Sequence, residues 1–204
     1  MRPRSRPSRS VSPFDFASAD IVFGGGGQDS GQLVMGGDLV KRGADLRQMA
    51  ADGAPMLVVC GTYQLFGRGF TTMEGQEILG IDVFRASTIG SKSRMIGNII
   101  VESPFGLLVG FENHSGQTIL ESDQQPLGRV KKGFGNNPTS RQEGALTANV
   151  IGTYMHGPIL PKNPKLSDHL LAAALKRRHG VSELELLSDS IELAAAKVAA
   201  TRPQ

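Results

Sequence analysis

The spacing of apolar and polar positions divides the chain into an α/β opening, a β-rich middle and a helical end. Ile21-Val22-Phe23 is a short apolar run that enters Gly24-Gly25-Gly26-Gly27-Gln28-Asp29, the pattern of a buried strand feeding a glycine turn. Over 38–52 the positions Leu39, Leu46 and Met49 follow a helical spacing, and Gly53 supplies the stop. Pro55-Met56-Leu57-Val58-Val59 is continuously apolar, as expected of a strand covered on both faces of a parallel sheet. It ends at Cys60-Gly61, and 62–66 predicts the start of a helix.

The middle changes character. Segments 93–102, 106–112, 117–121 and 127–132 are short, β-prone and separated by glycine or polar breaks, which predicts hairpins and antiparallel strands. Residues 133–143 read as a loop, and 148–154 as a strand ending at His156-Gly157-Pro158. Asn163-Pro164 predicts a helix start, with Asn as N-cap and Pro at the first helical position. Leu166, Leu170, Leu171, Ala174 and Leu175 then share a face up to Gly180, and a second helix is predicted over about 182–199.

Composition narrows the class. With 204 residues, 39% hydrophobic and 20% charged, the chain is long enough for one core without metals or disulfides. We read it as one domain over 20–204 behind a tail of residues 1–19, whose start (MRPRSRPSRSVSPF) is rich in Arg, Ser and Pro. The net charge of +3 resides in that tail: without Arg2, Arg4, Arg6 and Arg9, 18 basic side chains face 19 acidic ones. No basic face for nucleic acid is therefore expected, and with aromatics at 5% and no Trp, base stacking is not a main function. No segment has the roughly 18 apolar residues of a spanning helix, so no membrane insertion is expected. The single cysteine, Cys60, excludes an intrachain disulfide and fits a reducing, cytoplasmic setting.

Cys60 also carries the candidate chemistry. Alone, a cysteine at the end of an apolar strand is most simply a small buried hydrophobe. Strand, Cys-Gly, then helix is also the elbow that exposes a nucleophile on a sharp turn. A helix start beside the sulfur favours thiolate, and the Gly61 amide points where an oxyanion would develop. The base must come from His114, His156, His169 or His179. His169 and His179 fall on the 164–179 helix, and His114 lies in a turn, where a structural role is the simpler reading. His156 ends a predicted central strand, at the sheet edge where open α/β proteins assemble their sites. Gly24–Gly27 lacks the Lys-Ser/Thr or helix-opening pattern of a phosphate cradle, which leaves close backbone approach to a substrate or a flexible loop.

Three motifs together carry a resemblance: Phe23-Gly24-Gly25-Gly26-Gly27-Gln28-Asp29, Val59-Cys60-Gly61-Thr62-Tyr63-Gln64-Leu65 and Gly152-Thr153-Tyr154-Met155-His156-Gly157-Pro158. The chain resembles the class I glutamine amidotransferases of the cobyric-acid-synthase type. Arg94-Met95-Ile96-Gly97-Asn98, Gly110-Phe111-Glu112-Asn113-His114, Lys132-Gly133-Phe134-Gly135-Asn136-Asn137 and the run Gly157 to Pro164 sharpen it toward the glutaminase subunits of lipid II isoglutaminyl synthase. The resemblance implies an α/β, doubly wound, flavodoxin-like, mostly parallel sheet with an antiparallel insertion. The family's first strand and helix are expected to be missing or replaced here.

By the same resemblance, Cys60 is the nucleophile, His156 the base and acid, and Arg94 holds the glutamine substrate, with Gln64, Gly25, Gly26 and Gly61 lining the pocket. Many class I enzymes carry Glu two residues after the histidine; Pro158 stands there, which implies a Cys-His dyad or a third residue from elsewhere. Thr62 replaces the usual second glycine after Cys-Gly. No cofactor or metal is expected in this chain. ATP and Mg are expected on a Mur-ligase-like synthetase partner in a heterodimer that amidates the D-glutamate of lipid II in peptidoglycan synthesis. The alternatives are a glutaminase of cobalamin synthesis, a cysteine hydrolase on the same scaffold, and an inactive binding module.

Overall fold

The computed structural model describes residues 18–26 and 29–202; the predicted tail up to residue 17 and the turn residues Gly27 and Gln28 lie outside them. In chain order the first half comprises β1 (Val22–Gly24), α1 (Asp29–Ala51), β2 (Met56–Val59), α2 (Gly61–Phe66), β3 (Gly69–Thr71), β4 (Glu77–Leu79), β5 (Ala86–Ile89) and β6 (Met95–Ser103). The second half comprises β7 (Gly106–His114), β8 (Gln117–Leu120), β9 (Gly128–Lys132), β10 (Gln142–Glu143), β11 (Ala145–Thr147), β12 (Val150–Thr153), β13 (Met155–His156), α3 (Ile159–Lys162), α4 (Pro164–His179) and α5 (Ser190–Thr201).

The apolar run at 56–59 becomes the central strand of a sheet ordered β1-β2-β12-β11, in which β1, β2 and β12 are parallel and β11 is antiparallel. Its alternation serves two cores. Met56 and Val58 join Leu46, Met49, Tyr63, Phe66 and Phe84 on one side. Leu57 packs with Ile99, Val101, Val130, Ile151, Leu166 and Leu170 on the other. Helix α1 thus covers one face and α4 the other, with a five-stranded antiparallel sheet, β10-β9-β6-β7-β13, built against α4's side. Truncating a residue such as Leu57 should destabilise by about 2–5 kcal/mol, because both layers close on it.

The four predicted middle segments appear as β6, β7, β8 and β9. A third, small sheet, β4-β3-β5-β8, includes three strands that the pattern does not announce, each only three or four residues long. Helix α1 begins at Asp29 instead of 38. Its early part has glycines where periodicity would show: a Cβ on Gly36 would sit 2.8 Å from Ile78, so the glycine lets the helix lie against β4, beside Met35 and Leu39.

Two helix expectations need correction. Asn163 does occupy the N-cap position of α4, but its side chain makes no capping bond. Its Oδ1 accepts from the Val109 amide at 2.8 Å, and its Nδ2 donates to the Val109 and Ile159 carbonyls, so it stitches α3 and α4 to β7. The last helix starts at Ser190, not 182. Leu186 and Leu187 are exposed, so no packing offsets the entropy of ordering that stretch as helix.

Candidate active site

Cys60 leaves β2 with φ 54° and ψ −113°, a backbone conformation that costs a side-chain-bearing residue about 1–3 kcal/mol. Its neighbours hold it there. The Cys60 amide donates to the Thr153 carbonyl of β12 at 2.9 Å, its carbonyl accepts from the Gln64 amide at 3.0 Å, and every residue of α2 is buried. The predicted strand–Cys–helix elbow is present, with the thiol half-buried.

The predicted strand over 148–154 is in fact two. Strand β12 ends at Thr153 in the parallel sheet, and β13 begins at Met155 in the antiparallel sheet, pairing with β7 so that His156 lies opposite Phe111. The crossing brings His156 to Cys60. A Cβ built on Gly26 would lie 3.3 Å from His156 Cε1, 3.2 Å from Cys60 Cβ and 3.8 Å from Cys60 Sγ. Glycine turn, thiol and imidazole therefore meet at one point. A cleft of about 380 Å³ beside it is lined by Gly24, Gly25, Gly26, His156 and the segment Gly157–Pro161.

Burial, followed by the nearby His114, holds the His156 pKa below the usual imidazole value. Neutral imidazole, the form that accepts a thiol proton, is thereby favoured. His156 Nε2 is buried and has no hydrogen-bond partner among the described residues. Thr62 has a constructive role: its hydroxyl donates to the Gly25 carbonyl at 2.5 Å and pins the glycine turn to the start of α2.

Arg94 immediately precedes β6 and donates from Nε to Asn113 Oδ1 at 2.6 Å. The ladder aligns Asn98, Phe111 and His156 across three strands, with Arg94 four residues from that rung, roughly 13 Å along the strand. Strand β13 runs away from the Arg94 end of that ladder. Gln64 is buried, and its amide donates to the Tyr154 hydroxyl at 3.1 Å.

Behind the thiol lies a buried polar layer that the sequence pattern does not reveal. The Tyr154 hydroxyl, its pKa raised by burial, is 2.6 Å from Thr118 Oγ1, which is 2.8 Å from Thr88 Oγ1. The His114 ring stacks on Tyr154 at 3.5 Å, and its Nδ1 is 2.8 Å from the Gly116 carbonyl. Glu112 accepts from the Phe134 and Gly135 amides, each at 2.8 Å. Glu143 is fully buried and accepts from the Tyr154 amide at 2.9 Å and from the Thr153 hydroxyl. The signal for these residues is weak: a Tyr inside an otherwise apolar strand end, and an acid between Gln142 and Gly144. Among the described residues no group of three or more His, Cys, Asp or Glu side chains is arranged to hold a metal.

A strand–Cys–helix elbow that meets a histidine at a glycine turn agrees with what the sequence matches. Residues 4–164 match the CobB/CobQ-like glutamine amidotransferase domain. The chain belongs to that family. The amidotransferase is 39% identical over 184 residues to the lipid II isoglutaminyl synthase (glutamine-hydrolysing) subunit GatD of Staphylococcus aureus, covering 90% of this chain and 75% of the relative. The GatD subunit of Streptococcus pneumoniae is 38% identical over 170 residues, covering 82% of this chain and 65% of the relative. A probable cobyric acid synthase of Methanothermobacter thermautotrophicus is 32% identical over 67% of this chain, which spans only 29% of that protein. Among solved structures, a glutamine amidotransferase superposes with TM-score 0.56 at 14% identity, over 76% of this chain and 79% of the other. The amidotransferase fold is thus shared, with a parallel layer where the sequence places it and an antiparallel layer larger than the expected insertion.

Proposed function

We propose that this amidotransferase is the glutamine-hydrolysing subunit of an enzyme that amidates lipid II. The reading rests on the meeting of Cys60, His156 and the glycine turn at one point, supported by the two GatD relatives. His156 takes the Cys60 proton as sulfur attacks the side-chain carboxamide carbon of glutamine. The carbon–sulfur bond forms, the carbon–nitrogen bond breaks, and the proton leaves with ammonia. Water, deprotonated by the same imidazole, then cleaves the γ-glutamyl thioester to glutamate and restores the thiol. Amides of the glycine turn and Gly61 face the developing oxyanion. The Arg94 guanidinium suits the substrate's α-carboxylate, and Gln64, through Tyr154, braces the pocket floor.

The ammonia serves a Mur-ligase-like partner in the cytoplasm, which binds ATP and Mg and amidates the D-glutamate of lipid II. No helix among the described residues is long and apolar enough to cross a membrane. The chain spans under a third of the cobyric acid synthase relatives it matches.

Ammonia release from glutamine by the chain, alone and with the ligase, tests the proposal. Cys60→Ala is expected to abolish release while circular dichroism stays unchanged. Substantial release by that folded variant would falsify the nucleophile, and release from the native chain with no ligase association would remove the lipid II assignment.

A further inference from the structure

The reaction proposed above needs two groups from different sheets to meet, and the structure shows what fixes one of them. Between Thr153 and Met155 the chain leaves the parallel sheet for the antiparallel one. A strand crossing of this kind strips backbone groups of their ladder partners, and buried amides must be satisfied elsewhere. The Tyr154 amide donates to Glu143 Oε1 at 2.9 Å, and the Met155 amide to Thr153 Oγ1 at 3.0 Å. The Thr153 hydroxyl in turn donates to the same Glu143 oxygen. One carboxylate oxygen, from the two-residue strand β10, therefore organises the whole crossing, two residues before His156 and at the residue whose carbonyl receives the Cys60 amide.

Among the described residues, no salt bridge to Glu143 explains its burial. It is fully enclosed, its other oxygen has no hydrogen-bond partner, and burial pushes its pKa up to about 7. A carboxyl kept in such a place is costly unless what it holds matters.

We propose that Glu143 is a positioning residue for the hydrolytic site, setting the His156 imidazole against the Cys60 thiol through its double acceptance from Thr153 and Tyr154. It touches neither substrate nor the reacting atoms. Its acceptor oxygen, rather than its charge, does the positioning, so Glu143→Gln, which keeps a carbonyl oxygen at the same reach, restores most of what Glu143→Ala loses.

The proposal rests on the Cys60–His156 reading, and the test separates the two. Cys60 is the only cysteine, so its alkylation by iodoacetamide reports thiol activation without glutamine. The full chain is measured as native protein, His156→Ala, Glu143→Ala, Glu143→Gln and the His156→Ala/Glu143→Ala double variant, with glutaminase kcat and KM in parallel. Glu143→Ala is expected to slow alkylation and to lower kcat about 100-fold at a KM changed less than about threefold, since a displacement near 1 Å has that effect. Glu143→Gln is expected to stay within about fivefold of native, and the double variant to be no slower than His156→Ala, as residues acting as one unit are not additive.

If His156→Ala leaves alkylation unchanged, the dyad reading itself fails. If His156→Ala slows it but folded Glu143→Ala does not, or if the double variant shows fully additive loss, the positioning role is overturned. Should Glu143→Ala not fold, Thr153→Val removes the hydroxyl link alone; alkylation and kcat at native levels in that variant overturn the proposal equally.

Discussion

The two halves of the site are held by different means. On the nucleophile side, the parallel sheet and α2 enforce the Cys60 conformation through backbone: a ladder-like bond to Thr153, the first bond of a helix, and burial of every residue of α2. On the base side, the two-residue strand β13 has little ladder of its own, and side chains position His156, with Glu143 and Thr153 at the crossing and the Tyr154–His114 stack behind it. A backbone-held group tolerates replacement of its side chain with little loss of fold. A side-chain-held group is exposed to every substitution in its supporting shell. Loss of function should therefore spread over many residues on the base side and concentrate on one residue on the nucleophile side.

The largest effect expected within that contrast is at His156. His156→Ala should lower glutamine hydrolysis by about 10²–10⁴-fold, the usual contribution of a general base, while His169→Ala and His179→Ala leave it near native. Steady-state ammonia release measures all three, and equal damage from His114→Ala would move the base to the stacked ring. Arg94 comes next. Arg94→Ala should lower kcat/KM for glutamine by about 10- to 100-fold, the value of one charge-assisted contact, with Arg94→Lys recovering only part because the planar fork is lost. A native KM in both variants would leave Arg94 as a surface partner of Asn113 alone.

Smaller effects probe the layer between the halves. A Cβ on Gly152 would lie 2.2 Å from the Tyr63 ring and 2.7 Å from Phe84, both buried. Gly152→Ala should destabilise by about 1–3 kcal/mol, read from urea unfolding, because the ring cannot retreat through a packed core. The smallest expected effect is a slope. Glu143 titrates near pH 7 when folded and near the ordinary carboxylate value, about 4.3, when unfolded. Its folded form thus binds the proton more tightly, so its contribution is complete at low pH and is lost as pH rises from about 4 to 7. His156, with its pKa depressed by burial, acts in the opposite sense and loses its contribution as pH falls. Between pH 5 and 8, Tm should therefore decline less, or rise more, in Glu143→Gln than in the native protein, and identical Tm profiles would refute the assignment.

Much of this was legible in the chain because each signal was local. The apolar run at 56–59, the Cys60-Gly61 stop and the Pro164-to-Gly180 helix follow from spacing and end chemistry, and Gly180 indeed closes α4 with φ 74°. What escaped depends on distant partners. Asn163 carries a capping signature, yet Val109, 54 residues away, claims its side chain. The break at Tyr154 is invisible in an apolar stretch whose continuation is decided by β7 and by Glu143. The early turns of α1 look too small to be helical until Ile78 and Leu65 are placed against Gly36. Cys60, His156 and the glycine turn were recognisable as residue types, and the structure supplies the point at which they meet.

The position of β2 between β1 and β12 has a consequence for biosynthesis. Its inner partner is paired through Val150–Thr153, more than ninety residues further along the chain. A ribosome adding about 5–20 residues per second needs on the order of ten seconds to supply that strand. Through that interval Met56–Val59 lacks its β12 partner, and one apolar edge of the strand stays unpaired. Cys60 likewise emerges well before His156, so the two side chains can meet only once that later strand has been made.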